Sequence, residues 1–308
     1  MAVIAVIAQG TMGSGVGRRL RESGAEVRTL LSGRSPASAE RARAAGMVAA
    51  ADQRALLDGA DFFLSILPPG EAEPLARRLA PTLEALDRKP VYLDCNAVSP
   101  QTAIRIGEII APTDAHFVDA GIIGGPPRPG YKGPSIYASG EHVAEALPLR
   151  DWGINLRAID GPIGAASAVK MSYAGITKGT TAITAAMLLG AARFGCAEAL
   201  IAELSDSQPQ MLARMRNGIP GMYDKAYRWV AEMEEISDFL EKNPPSRDMY
   251  AAIARLYDYL AAAHAEPQPS RDNAIRTLDR VLGRGCGFRF PARSRSEEQA
   301  PGQRSDGV

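Results

Sequence analysis

The chain has 308 residues, of which 46% are hydrophobic and 23% charged, and its 35 basic residues are balanced by 35 acidic ones. Without a basic excess nucleic acid is not expected as a partner, and this length suits two domains that each bury a core. No stretch approaches the roughly 18 apolar residues of a membrane span, and the apolar start lacks the basic segment and cleavage site of a signal peptide. We therefore expect a cytoplasmic protein that does not associate with a membrane.

The cysteines and histidines give no sign of a disulfide or a metal site. Cys95, Cys196 and Cys286 are odd in number, far apart and in no CxxC pair, which indicates reduced thiols. The three histidines are equally scattered along the chain. Because no metal-ligand spacing is present, we expect no metal held by the protein.

A glycine-rich turn follows the first apolar run. Residues 2–8, AVIAVIA, have the continuous apolar pattern of a strand buried on both faces, and a helical pattern begins after the turn. The dinucleotide fingerprint GxGxxG is present only in part, because alanine stands at position 8, before Gly10 and Gly13. Gly10 would still let a pyrophosphate approach, and Thr11 and Met12 open the helix whose free amides would bind it.

The second predicted strand, residues 26–31, decides which dinucleotide is expected. An Asp or Glu at its end would bind the ribose 2′-hydroxyl of NAD, but the chain continues with Ser32, Gly33, Arg34 and Ser35. A guanidinium between two serines suits a 2′-phosphate, which predicts NADP rather than NAD. The alternative is that Arg34 is a solvated loop charge.

Further strands predict where the nicotinamide lies. Residues 61–67 end at Pro68-Pro69-Gly70, and residues 91–94 are followed by CNAVSP. Ligands of open parallel sheets bind outside the carboxyl ends of the strands, so Leu67, Pro68 and Asn96 should lie near the nicotinamide. Strands at 117–122, 135–139 and 156–159 complete the sheet. The glycine- and proline-rich loop at 121–133 either brings backbone amides near a ligand or is a rigid connection.

One long helix joins the two predicted domains. Residues 164–193 contain no proline and would form a helix of about 45 Å. One face carries Lys170, Tyr173, Ala174, Thr177 and Thr181. The opposite face is a stripe of small residues, Ala168, Gly175, Gly179, Ala182 and Ala186, which permits close packing. Helical patterns continue beyond it, so we predict domains at 1–162 and 163–290 and a disordered tail at 291–308.

Several motifs in a fixed order resemble a known family. After the glycine turn come LPPG, DCNAVSP, GIIGGPP and GAASAVKM. This combination resembles the β-hydroxyacid dehydrogenases, which include 6-phosphogluconate and 3-hydroxyisobutyrate dehydrogenases. The segment KAYRWVAEMEEI is similar to the C-terminal domain of bacterial phosphogluconate-dehydrogenase-like proteins. The resemblance implies an α/β fold in which a Rossmann-like doubly wound sheet precedes an all-α domain.

The resemblance also implies site residues, and this chain departs from some of them. It implies that Lys170 is the acid–base group and that Gly124 and Gly125 line the substrate pocket. The family serine before the glycine pair is Ile123 here, and the asparagine one turn after the lysine is Ala174. The histidine and glutamate of the 6-phosphogluconate enzymes correspond to Tyr173 and Thr177. These departures argue against oxidative decarboxylation of a sugar phosphate.

These observations predict an NADP-dependent oxidoreductase that interconverts an alcohol and a carbonyl on a small hydroxy acid. Lys170 would move the proton, and Tyr173 would orient it or share its proton. Imine reduction is an alternative reaction, and an NADP-binding protein without turnover is an alternative of another class. In relatives the helical domains of two subunits intertwine, so we expect a homodimer that buries the stripe of small residues together with the 223–233 face.

Overall fold

The structure is a computed structural model that describes residues 1–284 except 129 and 132. The predicted tail at 291–308 and Cys286 lie outside the described residues. In the part described, no helix is long and apolar enough to cross a membrane.

Strands and helices alternate through the first 158 residues, as the sequence predicted. The elements are β1 Val3–Ile7, α1 Thr11–Glu22, β2 Glu26–Leu30, α2 Pro36–Ala44, β3 Val48–Ala50, α3 Gln53–Leu57, β4 Phe62–Ser65, α4 Ala72–Glu84, β5 Val91–Asp94, α5 Pro100–Ile110, β6 Phe117–Ile123, β7 Ser135–Ser139 and β8 Asn155–Ala158. They form one eight-stranded sheet in the order β3-β2-β1-β4-β5-β6-β7-β8. All neighbouring strands are parallel except β6 and β7, which are antiparallel.

The sheet is covered on both faces. Ile4 and Val6 of β1 pack into the hydrophobic cluster that contains α1, whereas Ala5 and Ile7 pack into the cluster that contains α4 and α5. Successive side chains of a strand point to opposite faces, so a continuous apolar strand is buried on both sides. The predicted Rossmann-like doubly wound sheet is thereby confirmed.

Within the described residues, the helical domain has six α-helices around a core of its own. They are α6 Ala165–Arg193, α7 Ala197–Ser207, α8 Pro209–Met222, α9 Ala226–Phe239, α10 Pro244–Ala265 and α11 Ala274–Val281. The core is built from buried aliphatic side chains of all six and from Tyr257. Helix α6 packs against β6 and β7 as well as against the helices that follow, so it belongs to both domains.

The stripe of small residues on α6 is covered within the chain. A Cβ atom at Gly175 or Gly179 would lie 3.0 or 3.1 Å from the hydroxyl of Tyr250 in α10. Ala182 is fully buried in the helical core. The ring of Tyr250 therefore already occupies the space that the missing side chains of Gly175 and Gly179 leave, and this part of the stripe is packed within the chain.

The 223–233 face is also packed mainly inside the chain. Met233 is fully buried, and the hydroxyl of Tyr223 donates to Asp279 of α11 at 3.1 Å. Tyr227 remains largely exposed. This face therefore holds α9 against neighbouring helices.

Candidate active site

The glycine turn between β1 and α1 has the space that a pyrophosphate needs. A Cβ atom at Gly13 would lie 1.8 Å from the carbonyl oxygen of Ala8, so glycine is required there. A Cβ atom at Gly10 would meet nothing within 4 Å. Gly10 is also the N-cap of α1, which has no side-chain cap, so the first amides of this helix are free to bind an anion. Thr11 and Met12 open this helix, where the sequence placed them.

A buried glutamine connects the turn to the next strand. The Nε2 atom of Gln9 donates to the hydroxyl of Thr29 and, at 3.1 Å, to the carbonyl oxygen of Leu30. Its Oε1 atom is buried and has no hydrogen-bond partner among the described residues. These hydrogen bonds fix the ends of β1 and β2 to each other next to the glycine turn.

Two arginines lie at the end of β2, where the sequence pointed to one. The guanidinium of Arg41, in α2, donates to the carbonyl oxygen of Gln9 at 2.8 Å and to Ser38 at 3.0 Å. Arg34 is exposed and forms no ion pair with a described residue. Arg41 was not singled out in the sequence, because only the folded chain brings α2 next to the glycine turn.

The serines on either side of Arg34 are exposed with it. The hydroxyl of Ser35 caps α2 by accepting from the amide of Ser38 at 3.3 Å, and Ser32 lies in the turn before it. Segment 31–35 carries no carboxylate, as the sequence states. The segment after β2 therefore provides hydroxyl and guanidinium groups, and it has no carboxylate that would repel a phosphate.

Asn96 holds two turns of the site together. It is buried, its Oδ1 accepts from the amide of Leu67, and its Nδ2 donates to Ser65 at 2.8 Å. The side chain thus connects the turn after β4, with Leu67 and Pro68, to the turn after β5. Because both of its polar atoms are used inside the protein, Asn96 shapes this edge rather than offering a free group to a ligand.

An aspartate next to Asn96 is buried without full hydrogen bonding. The Oδ1 atom of Asp94 accepts from the amide of Asn96 at 2.9 Å, while Oδ2 has no partner among the described residues. Burial raises the pKa of Asp94 to about 7, and the nearby charges of Asp119 and Glu235 add to the rise. A protonated carboxyl satisfies such a site better than a charged one.

Lys170 lies where α6 crosses β6. A Cβ atom at Gly121 would come within 2.8 Å of the Cβ of Lys170 and 3.0 Å of the carbonyl oxygen of Ala166. Only glycine at position 121 lets the helix approach this closely. The lysine is half-buried at the carboxyl half of β6, the same edge that carries the turns after β4 and β5.

Asp119 of β6 fixes the start of that helix. Its Oδ2 accepts from the amides of Gly164 at 2.9 Å and Ser167 at 3.0 Å, and its Oδ1 accepts from the hydroxyl of Ser167 at 2.6 Å. Ser139 of β7 donates to the same carboxyl at 3.2 Å. Burial raises the pKa of Asp119, and these hydrogen bonds act against the rise. One signal for this role was present in the sequence and overlooked: an aspartate inside an apolar strand.

The other predicted residues of α6 are not all directed to one pocket. Tyr173 is 51% exposed, and the hydroxyl of Thr177 donates to the carbonyl oxygen of Tyr173 at 2.9 Å. Ala174 is buried in the helical core. The structure therefore keeps Lys170, Tyr173 and Thr177 on the accessible side of the helix and places Ala174 away from it.

The loop after β6 folds over α1. Gly124 has φ +124°, and a Cβ atom there would lie 2.8 Å from the hydroxyl of Tyr131. A Cβ atom at Gly15 of α1 would lie 3.1 Å from Pro127 and 3.3 Å from Pro126. These contacts favour the rigid connection. Gly125 is exposed with open space above it, and Ile123 at the end of β6 is half-buried.

A second lysine near Lys170 was not predicted. Lys178 of α6 forms an ion pair with Glu232 of α9, and its ammonium lies 5.0 Å from the centre of the Trp229 ring. Burial lowers the pKa of Lys178 to about 8 against the opposing effect of Glu232, and the nearby positive charge of Lys170 lowers it further. Only the packing of α9 on α6 creates this environment.

Two of the scattered histidines meet at the opposite edge of the sheet. The rings of His116 and His142 stack with centroids 3.8 Å apart, and Glu145 contacts the Nδ1 atoms of both, at 2.7 and 3.1 Å. The three residues could hold a metal ion, although the cluster is solvent-accessible. It lies before β6 and after β7, away from Lys170.

The comparisons with known proteins agree with this architecture. A family profile described as the NAD binding domain of 6-phosphogluconate dehydrogenase matches residues 3–147, and a domain of unknown function, DUF1932, matches residues 191–260. An uncharacterized 28.5 kDa protein in the 7S RNA 5′ region of Methanothermus fervidus is 26% identical over 216 residues, 70% of this chain and 82% of that protein.

Solved structures share the fold over nearly the whole chain. MTH1747, a conserved protein of unknown function with structural similarity to 3-hydroxyacid dehydrogenases, is 28% identical with a TM-score of 0.65, covering 89% of this chain and 99% of its own. The 3-hydroxyisobutyrate dehydrogenase of Mycobacterium tuberculosis is 19% identical with a TM-score of 0.70, at 90% and 99% coverage. An imine reductase from Myxococcus stipitatus is 17% identical with a TM-score of 0.55, at 92% and 100% coverage.

Fold and glycine turn together define a two-domain protein of the dehydrogenase fold with a nicotinamide-dinucleotide-binding domain. The chain combines an NAD-binding domain of the 6-phosphogluconate dehydrogenase type with a DUF1932 domain, and it is similar in structure to a protein that resembles 3-hydroxyacid dehydrogenases. The resemblance predicted from the motifs is confirmed for both domains.

Proposed function

We propose that this protein is an NADP-dependent oxidoreductase that interconverts an alcohol and a carbonyl on a small hydroxy acid, with Lys170 as the acid–base residue. The position of Lys170 carries this proposal. Its Cβ packs on Gly121 at the sheet edge where dinucleotide-binding folds place their ligands, and Asp119 fixes the helix that bears it.

The bound cofactor would supply or accept the hydride, and the chain would supply the proton. In reduction, the ammonium of Lys170 donates a proton to the oxygen of the forming alkoxide; in oxidation, the neutral amine takes it back. Tyr173, one turn further along α6, would orient this lysine or share its proton. Gly124, Gly125 and Ile123 would line the substrate space opposite.

The choice of NADP is supported by the charges at the end of β2. Arg34 has no counter-ion among the described residues, and Arg41 lies between the glycine turn and Ser38. Two guanidinium groups without a carboxylate suit a 2′-phosphate and leave a ribose 2′-hydroxyl without its usual acceptor. The glycine turn, with Gly10, Thr11, Met12 and Gly13, would hold the pyrophosphate.

Imine reduction is a second candidate reaction. It is favoured by Ile123, which replaces a polar substrate contact of the family and leaves the pocket less polar. A structural neighbour is an imine reductase in complex with NADP+, although at 17% identity this likeness shows only the fold. An NADP-binding protein without turnover is the candidate outside enzymes.

The test is a substrate panel followed at the nicotinamide absorbance. It contains 2- and 3-hydroxy acids, their carbonyl forms and cyclic imines, each with NADP(H) and NAD(H). We expect turnover of an acid or its carbonyl with NADP(H). Turnover of imines alone would replace the proposal by the second candidate, and tight cofactor binding without any turnover would favour the non-catalytic protein.

We further propose a homodimer, formed through a different face of α6 from the one first expected. Exposed apolar side chains recur along this helix at steps of four, three or seven residues. They are Val169, Tyr173, Ile176, Ile183, Met187 and, just after the helix, Phe194. This spacing is the seam of paired helices, and Ile176 is 69% and Phe194 83% exposed. The apolar seam borders Lys170, so a second copy on it would also shield the site from water.

A further inference from the structure

The strongest unexplained feature is the buried ion pair between Lys178 and Glu232. The side chains are only 15% and 17% exposed, and the ring of Trp229 lies beside the ammonium. Buried ion pairs seldom stabilise a fold more than apolar residues of the same size, because both charges lose their hydration. Stability alone therefore does not account for a lysine at this position.

The pair lies at the boundary between the two domains. Glu235, one turn after Glu232 on α9, accepts from the amide of Ser99 at 2.6 Å and from the hydroxyl of Thr102 at 3.1 Å, at the start of α5. Ala97, in the turn that also carries Asn96, packs against the core of the helical domain. The segment of α9 that bears Glu232 therefore borders the cleft between the two domains, which is lined by Thr102 of α5 and Glu235 of α9.

Positive charge exceeds negative charge around this pair. The groups whose charges act on Lys178 are Glu232 and Arg228 from α9 and Lys170 from α6, and α10 adds the hydroxyl of Tyr257, which donates to the Lys178 carbonyl oxygen at 2.6 Å. Glu232 neutralises Lys178, whereas neither Lys170 nor Arg228 forms an ion pair with a described residue. A buried lysine beside two cations that lack counter-ions favours the binding of an anion.

We propose that Lys178 binds an acidic group of the substrate, a carboxylate or a phosphate, on the side of the cleft formed by the helical domain. Lys178 follows Lys170 by eight residues, two turns of the same helix, so the acid would be held beyond the carbon that exchanges hydride. Glu232 keeps the ammonium in position before the anion arrives. This inference deepens the proposed function and rests on it for the identity of the ligand as a substrate.

Binding can be measured without turnover, because the chain has only two tryptophans. In a Trp152→Phe background, emission from Trp229 reports on the surroundings of Lys178. Malonate and methylphosphonate are titrated, with malonamide as the neutral control, both without cofactor and with NADP+. We expect malonate or methylphosphonate to change the emission saturably and malonamide to leave it unchanged. The better of the two anions identifies the acid as a carboxylate or a phosphonate-like group.

Variants separate an anion site from a structural ion pair. Lys178→Met combined with Glu232→Gln removes both charges and leaves no unpaired carboxylate, and it should weaken anion binding about 10- to 100-fold. Lys178→Arg should retain most of the binding, and Glu232→Gln alone should strengthen it, because the competing carboxylate is gone. Lys242→Met, at an exposed lysine, is the control.

The proposal is overturned if neither anion changes the emission at millimolar concentration, or if the double variant binds as well as the unaltered protein. Steady-state kinetics add an independent test once a substrate acid is known. Lys178→Arg and the double variant should then alter KM for the acid far more than kcat, and should leave the KM of its methyl ester unchanged. Anion binding without turnover of any carbonyl would reject the proposed reaction and keep the site.

Discussion

The carboxylate of Asp119 lies 2.6 Å from the hydroxyl of Ser167 and 3.0 Å from its amide, so a strand of the sheet caps the helix that carries Lys170. The N-cap of helix α6 is Gly164, which has a φ of +100° and no side chain that could cap the helix locally. The buried carboxylate takes over that role from 45 residues earlier in the chain. It thereby couples the position of Lys170 to the sheet on which the dinucleotide would lie.

Removal of this cap should destabilise the protein. Asp119→Ala leaves two buried amides and two hydroxyls without their acceptor, and we expect a loss of about 3–5 kcal/mol in the free energy of unfolding. Asp119→Asn should cost less, about 1–2 kcal/mol, because its oxygen can replace Oδ2 and the Ser167 hydroxyl can accept from its nitrogen. Urea unfolding measures both. The exposed Asp160→Ala is the control, and equal stability of all three variants would contradict the capping role.

Arg34 and Arg41 should affect cofactor binding differently. Arg34→Ala removes a charge that would contact only the 2′-phosphate, so NADPH affinity should fall by about 1.5–3 kcal/mol while NADH affinity stays the same. Arg41→Ala also removes the hydrogen bond to the Gln9 carbonyl and should weaken both cofactors. Titration of NADPH and NADH into each variant measures both affinities, and Arg54→Ala is the control. Equal affinity of the unaltered protein for both cofactors would contradict the assignment of NADP.

Lys170→Met tests the acid–base role once a substrate is known. Methionine keeps the length and the apolar stem that packs on Gly121 but carries no proton to transfer. Turnover should therefore fall by ~10²–10⁴ while NADPH still binds. Lys225→Met, at an exposed lysine before α9, is the control. A Lys170 variant with nearly unchanged kcat would make this lysine a structural residue.

The sequence predicted the parts of this protein that depend on neighbours along the chain. The strand–glycine turn–helix start, the long helix and the position of Lys170 follow from local pattern. Arg41, Asp119 and Lys178 were missed because their roles come from contacts between distant segments. The reversal of β7 was missed for a related reason, since a buried strand has the same apolar pattern in either direction.

The packing partners of helix α6 could not be predicted from the sequence for either of its faces. Its small residues indicated close packing correctly, but the sequence could not tell whether the partner helix came from the same chain or from another one. Only the folded chain shows that Tyr250 of the same chain packs on Gly175 and Gly179. The exposed apolar seam on another side of the helix became visible only when burial was known.

Asp94 should make stability depend on pH. Its pKa is raised to about 7 in the folded protein, so the folded state holds a proton that the unfolded state has already lost above its ordinary pKa of 3.8. Its stabilising contribution is therefore complete at low pH and is lost as the pH rises from about 4 to 7. Asp94→Asn mimics the protonated carboxyl and removes this dependence.

The measurement is urea unfolding of both proteins at pH 5 and pH 8. The unaltered protein should lose about 2–3 kcal/mol relative to Asp94→Asn between these values. Groups that do not interact with Asp94 titrate alike in both proteins and cancel in the difference. A difference that stays constant, or that changes in the opposite direction, would show that Asp94 is charged in the folded state throughout this range.

Substitutions on the two faces of α6 should have different effects on assembly and stability. Ile176→Glu places a charge in the exposed seam, and it should leave folding intact while shifting the protein from dimer to monomer in light scattering across a dilution series. Gly179→Leu instead pushes against Tyr250 of the same chain, and it should reduce stability by at least about 1–3 kcal/mol through overpacking. Lys242→Glu, at an exposed position of the same domain, is the control for the added charge. A well-folded monomer of the unaltered protein at micromolar concentration would contradict the dimer, and dissociation of a fully folded Gly179→Leu variant would return the interface to the small-residue stripe.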